Sequence, residues 1–142
     1  MKSLLFLATA FLISVPVFAH ESSEEISTDT EEYTITVNED SVSVQESYNY
    51  NFGFVKKGKS ETARFRLRNN GNYPFYINEI DTSGKAFSHK ENCGGVLWPG
   101  QSCRATVKFA PKEVGQYNGS LHFDLIGRSD IWVYLRGWGY NY

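Results

Sequence analysis

Residues 131–142 read Ile-Trp-Val-Tyr-Leu-Arg-Gly-Trp-Gly-Tyr-Asn-Tyr. At the two-residue period of a β-strand, Ile131, Val133 and Leu135 share one face, and Gly137 and Gly139 follow the same parity. Trp132, Tyr134, Arg136, Trp138, Tyr140 and Tyr142 fall on the other face. The aliphatic face suits a core. The aromatic face has three candidate covers: the chain's own residues 33–44 with Tyr48 and Tyr50, a partner protein, or a glycan whose sugar rings stack on flat amphipathic side chains. Monomeric proteins seldom leave several large aromatics contiguous and wet. At least Trp132 or Trp138 is therefore expected to stay accessible and to belong to a binding surface.

The same alternation runs upstream, broken by turn residues. Tyr33-Thr34-Ile35-Thr36-Val37 and Val42-Ser43-Val44 flank Asn38-Glu39-Asp40-Ser41, which predicts a hairpin. Asn51–Val55 is largely apolar, and Ala63-Arg64-Phe65-Arg66-Leu67-Arg68 alternates apolar with basic residues. Further strand patterns follow over 73–80, near Phe87, over 103–109 and over 117–125. No segment carries a helical period. Seven to nine short strands at about ten-residue spacing point to an all-β sandwich.

The amino terminus has a different character. Lys2, the apolar run Leu4–Val15, Pro16 and the small-residue ending Val17-Phe18-Ala19 form a secretory signal pattern, too short to span a bilayer, with cleavage expected after Ala19. The mature chain shows no membrane span, so a periplasmic or secreted protein is expected. Between His20 and Glu46 lie nine acids and no Lys or Arg, whereas 47–142 holds thirteen basic residues and seven acids. Residues 20–32, with one large apolar side chain, read as an acidic flexible leader, and 33–142 as the folded domain.

Cys93 and Cys103 are separated by nine residues that include Gly94-Gly95 and Pro99-Gly100, so the chain doubles back between them. In an exported chain this predicts a structural disulfide worth about 3 kcal/mol in the chain-entropy model. Zinc and redox spacings are absent. Ser120, His122 and Asp124 share a strand face, but their spacing of roughly 6.6–7 Å at Cα is too wide for a triad, so a solvated face is expected and no catalytic residue is assigned. Arg64, Arg66 and Arg68 line another face, with Lys56, Lys57 and Lys59 in the preceding loop. They form either a solvated basic stripe or a binding stripe for an anionic partner. Net negative charge in an exported chain argues against nucleic acid. His20, first after cleavage, offers one alternative function: its amine and imidazole could bind copper in a carrier or oxygenase, provided His89 or His122 supplied a second imidazole. No cofactor or metal is otherwise implied.

Several short stretches occur in a family-like order: Phe52-Gly53-Phe54-Val55, Gly58-Lys59-Ser60, Leu67-Arg68-Asn69-Asn70-Gly71, Leu97-Trp98-Pro99-Gly100-Gln101-Ser102-Cys103, Val107–Pro111, Gly115–Leu121 and Leu135-Arg136-Gly137-Trp138-Gly139. Over 52–139 the chain resembles the abnormal-spindle/hydin (ASH) type of immunoglobulin-like domain, including bacterial exported choice-of-anchor D repeats. The resemblance implies a sandwich related to the major-sperm-protein fold, used for binding or structure. It brings no catalytic residues. An exported, non-enzymatic module that contacts an envelope or extracellular protein, or a glycan, is the expected function. The aromatic ending is richer than that pattern requires.

Overall fold

The computed structural model describes residues 31–38 and 46–142. The expected signal segment 1–19, His20 and the rest of 20–30 in the expected acidic leader, and Val42–Val44 lie outside the described residues. Nine strands follow in order: β1 Glu32–Val37, β2 Glu46–Lys56, β3 Glu61–Asn69, β4 Phe75–Ser83, β5 Phe87–Glu91, β6 Val96–Leu97, β7 Ser102–Phe109, β8 Gly115–Ile126 and β9 Ile131–Tyr140. They form a four-stranded sheet, β1-β3-β7-β5, and a five-stranded sheet, β2-β9-β8-β4-β6. The fold is an immunoglobulin-like β-sandwich, and among the described residues there is no helix.

Alternation fills the space between the sheets. Phe65 and Leu67 from β3, with Ala105, Val107 and Phe109 from β7, meet Leu121 and Phe123 from β8 and Ile131, Val133 and Leu135 from β9, all essentially without solvent contact. Burying a side chain of this size stabilises the fold by about 1.5–3 kcal/mol. Gly137 is inward by parity, and the Phe109 ring occupies its side-chain space: a Cβ there would lie 2.4 Å from Phe109 Cε1.

Tyr33–Val37 pairs parallel with β3, from Glu32 opposite Arg64 to Val37 opposite Asn69, and the other half of the expected hairpin, Val42–Val44, lies outside the described residues. Ile35 and Val37 thereby enter the core, and the next described strand, β2, joins the opposite sheet. Glu32, the last residue of the expected leader, is part of the fold. It belongs to β1, where its carboxylate meets Arg66 Nε at 3.0 Å and Arg104 Nε at 3.1 Å.

Cys93 and Cys103 are bonded, with Cα atoms 5.0 Å apart. Cys103 lies in β7, and Cys93 stands two residues beyond the end of its partner strand β5. Asn69 holds one end of the sandwich together. Its side chain is fully buried, donates to the carbonyls of Tyr73 at 2.8 Å and Leu97 at 2.9 Å, and accepts from the Gly71 N–H at 2.9 Å. A buried amide survives only because its polar atoms are satisfied, so Asn69 joins the β3–β4 and β6–β7 turns.

Candidate functional site

The outer face of the five-stranded sheet is organised around β9, which lies between β2 and β8. Register places Trp132 opposite Ser47 and His122, Tyr134 opposite Asn49 and Ser120, Arg136 opposite Asn51 and Asn118, and Trp138 opposite Phe54 and Gln116. Trp132, Tyr134, Arg136, Trp138 and Tyr140 all take the outward parity, and Tyr142 follows past the strand end. Tyr134 is 47% exposed and Trp138 42%.

A β-bulge sharpens this face. The β2–β9 register shifts between Asn51 and Phe54, where Gly53 takes φ +72° and its N–H donates to Asn51 Oδ1 at 2.9 Å. One extra residue inverts side-chain parity. Phe52 therefore points into the core against Phe87 and Phe109, while Phe54 turns outward, 74% exposed, with its ring 6.3 Å from that of Trp138. Phe54, Val114, Trp138, Tyr140 and Tyr142 line an open groove of about 630 Å³. Farther along the same face, Tyr134 and Arg136 border a second depression with Asn49, Asn51 and Asn118. Phe54 was not singled out from sequence. A glycine between two phenylalanines in a strand is the signal that could have found it.

At the other end the face is internally braced. His122 stacks on Trp132 at 3.9 Å and 11°, and Trp132 stacks on Tyr134 at 6.4 Å and 13°. His122 Nε2 lies 2.8 Å from Asp130 Oδ2, and Nδ1 lies 3.3 Å from Asp81 Oδ1. Burial opposes ionisation of Asp130, but hydrogen bonds from His122 and from the Leu125 N–H prevail and hold its carboxyl below the usual range. Trp132 is thus half-buried and engaged by two neighbouring rings, and Trp138 is the more accessible of the two tryptophans named from sequence.

None of the described N-terminal aromatics covers this surface. Tyr33 stacks on Phe65, and Tyr50 meets Phe52 and Phe65 edge-on, all on the core side. Burial first, then Tyr33 and Glu31, raises the Tyr50 phenol well above its ordinary range. Burial and the Glu46 carboxylate push Tyr48 up to about 12.

The strand-face trio disperses to separate partners. Ser120 Oγ lies 2.7 Å from Ser83 Oγ, His122 sits between two aspartates, and Asp124 accepts from Asn78 Nδ2 at 2.7 Å. His89 Nδ1 meets Thr82 Oγ1 at 3.0 Å, both ring nitrogens of His122 face aspartates, and His20 lies outside the described residues. Arg64, Arg66 and Arg68 stand on the outer face of the four-stranded sheet, across the sandwich from the aromatic surface.

The family model described as HYDIN/CFA65/VesB-like, Ig-like domain matches residues 43–137. No curated protein matches the sequence. Among solved structures, the secreted serine protease VesC from Vibrio cholerae superposes with a TM-score of 0.53 at 21% identity, over 63% of this chain and 21% of that one. The Vibrio cholerae VesB protease gives 0.52 at 18% identity, over 65% and 30%. The ASH/PapD-like domain of human CEP192 gives 0.53 at 13% identity, over 68% and 84%. At these identities the likeness is one of fold, and the chain spans less than a third of either protease.

Proposed function

The chain belongs to the HYDIN/CFA65/VesB-like Ig-like domain family, and from that premise we propose that it is an exported, non-enzymatic module that docks a partner protein through the outer face of its five-stranded sheet. One observation carries the reading: Phe54, Tyr134, Trp138 and Tyr142 form an aromatic run that no other described residue covers, with Arg136 in its midst. Trp, Tyr and Arg concentrate binding energy in interfaces, the two aromatics because they desolvate large areas with few rotatable bonds and Arg because its planar guanidinium makes several directed hydrogen bonds. The apolar run Leu4–Val15 and the Cys93–Cys103 disulfide support an extracytoplasmic place for it. The partner is then a protein of the envelope or the extracellular space.

A glycan is the second reading, favoured by the amides of Asn49, Asn51 and Asn118 beside Tyr134 and Arg136. Flat rings bordered by hydrogen-bonding amides suit sugars.

The test replaces Phe54 and Trp138 by Ser together, leaving the braced Trp132 in place. Cross-linking in intact cells is expected to capture a partner with the parent and lose it with the double variant. The melting temperature should fall by no more than a few degrees. A double variant that unfolds, beside a parent whose tryptophan fluorescence iodide cannot quench, would show that this surface is core. Retention on a glycan array, with no protein captured, would select the second reading.

A further inference from the structure

The outer face of the four-stranded sheet carries a second binding surface that the three β3 arginines only began to outline. The β3–β7 register sets Arg66 opposite Arg104 and Thr62 opposite Lys108, and the β5–β7 register sets Lys90 opposite Thr106. All of these positions take the outward parity. Arg64, Arg66, Arg68, Lys90, Arg104 and Lys108 therefore share one face. Like charges directly opposed across a ladder repel, and the Arg66–Arg104 pair is held by a single carboxylate. Glu32 places one oxygen 3.0 Å from Arg66 Nε and the other 3.1 Å from Arg104 Nε. Among the described residues, no ion pair engages Arg64, Arg68, Lys90 or Lys108.

This contact shows what the face accepts: a carboxylate delivered by an extended strand lying beside β3. The β3 arginines recur every second residue, about 6.6–7 Å apart, which is also the same-side repeat of an extended polypeptide. The other outward positions around the cations include Thr34, Thr36, Ser88, Ser102 and Thr106. None is an apolar side chain that could enter an acyl layer, as a membrane-binding surface requires.

We propose that the basic face of the four-stranded sheet binds an extended acidic segment of a partner polypeptide, with carboxylates at alternate positions continuing the Glu32 contact. This surface lies across the sandwich from the aromatic one and does not rest on it.

The test uses the full chain and short labelled peptides read by fluorescence anisotropy. One peptide alternates Glu with Ser, and the other has the same composition with its Glu residues in one block. The alternating peptide is expected to bind more tightly, and its affinity should weaken steeply as salt rises. Arg64→Glu with Arg68→Glu is expected to weaken it by roughly tenfold or more, since each exposed pair contributes a modest share. Lys90→Ala with Lys108→Ala, on two other strands, should give a smaller loss and guards against misfolding of the reversal variant. Absence of binding at low salt overturns the proposal. So does equal binding of both peptides, or of heparin and anionic phosphatidylglycerol vesicles in their place, because the face would then be a non-specific polyanion surface. Binding that appears only when residues 20–30 are deleted would replace the external partner by the chain's own acidic segment.

Discussion

The two sheets turn the same kind of face inward and opposite kinds outward. Inside, both present aliphatic and phenylalanine side chains at alternate positions, and the two surfaces are chemically interchangeable. Outside, the five-stranded sheet shows stacked rings and amides, while the four-stranded sheet shows cations tied by one carboxylate. The core fixes only half of each strand. The other half is available for recognition, and here two unlike surfaces share one small scaffold. Their stability should also respond to different variables: packing and acid on the aromatic side, ionic strength on the basic side.

The largest expected effect falls on the four-stranded side without touching its charges. Replacing Cys93 and Cys103 by Ser should lower unfolding free energy by about 3 kcal/mol in urea titration, equally at low and high salt. On the five-stranded side, Gly137→Ala drives a methyl into the Phe109 ring and should cost about 1–3 kcal/mol, also independent of salt. A third measurement separates the faces by pH. The Asp130 carboxyl is depressed in the fold, so its contribution is present above the unfolded carboxylate range near 4 and lost as pH falls through the lower folded value. Asp130→Asn should flatten this acid limb, with a difference of no more than about 1 kcal/mol because the group is partly solvated. Smallest is Glu32→Gln, which frees the Arg66–Arg104 repulsion and should cost about 0.5 kcal/mol at low salt and almost nothing in concentrated salt. A salt-dependent Gly137→Ala, or a salt-independent Glu32→Gln, would break the contrast between the two faces.

Much of this was legible in the sequence because alternation is a local signal. The inward parity of Ile131, Val133 and Leu135 and the outward parity of Trp132, Tyr134, Arg136 and Trp138 follow from spacing alone, and the glycine and proline pairs between the cysteines announce a reversal. What was not legible is pairing at a distance. Nothing in the spacing of Tyr33–Val37 names β3 as its ladder partner, because the signal for a strand is local and the choice of neighbour is not. The partners of His122 come from β4 and from the turn before β9, not from Ser120 and Asp124 two residues away. Arg104, Lys90 and Lys108 are unremarkable one at a time, and become a surface only once β3, β7 and β5 lie side by side. Glu32 went with the leader because composition cannot see the two arginines that hold it in place.

The place of β9 has a consequence for how the domain comes to exist. This strand is the last of the described elements to be synthesised, yet it lies in the interior of its sheet, pairing parallel with β2 on one side and antiparallel with β8 on the other. Among the described strands β2 has no other sheet neighbour. As the chain emerges, Phe52 and Val55 must wait, unsheltered, for Ile131–Tyr140. Long-range closure of this kind slows folding toward the millisecond-to-second regime and prolongs exposure of unpaired strands. Loss of Ile131–Tyr140 should therefore leave β2 separated from the rest of its sheet instead of a trimmed domain, and the described fold passes from aggregation-prone to closed only when β9 arrives.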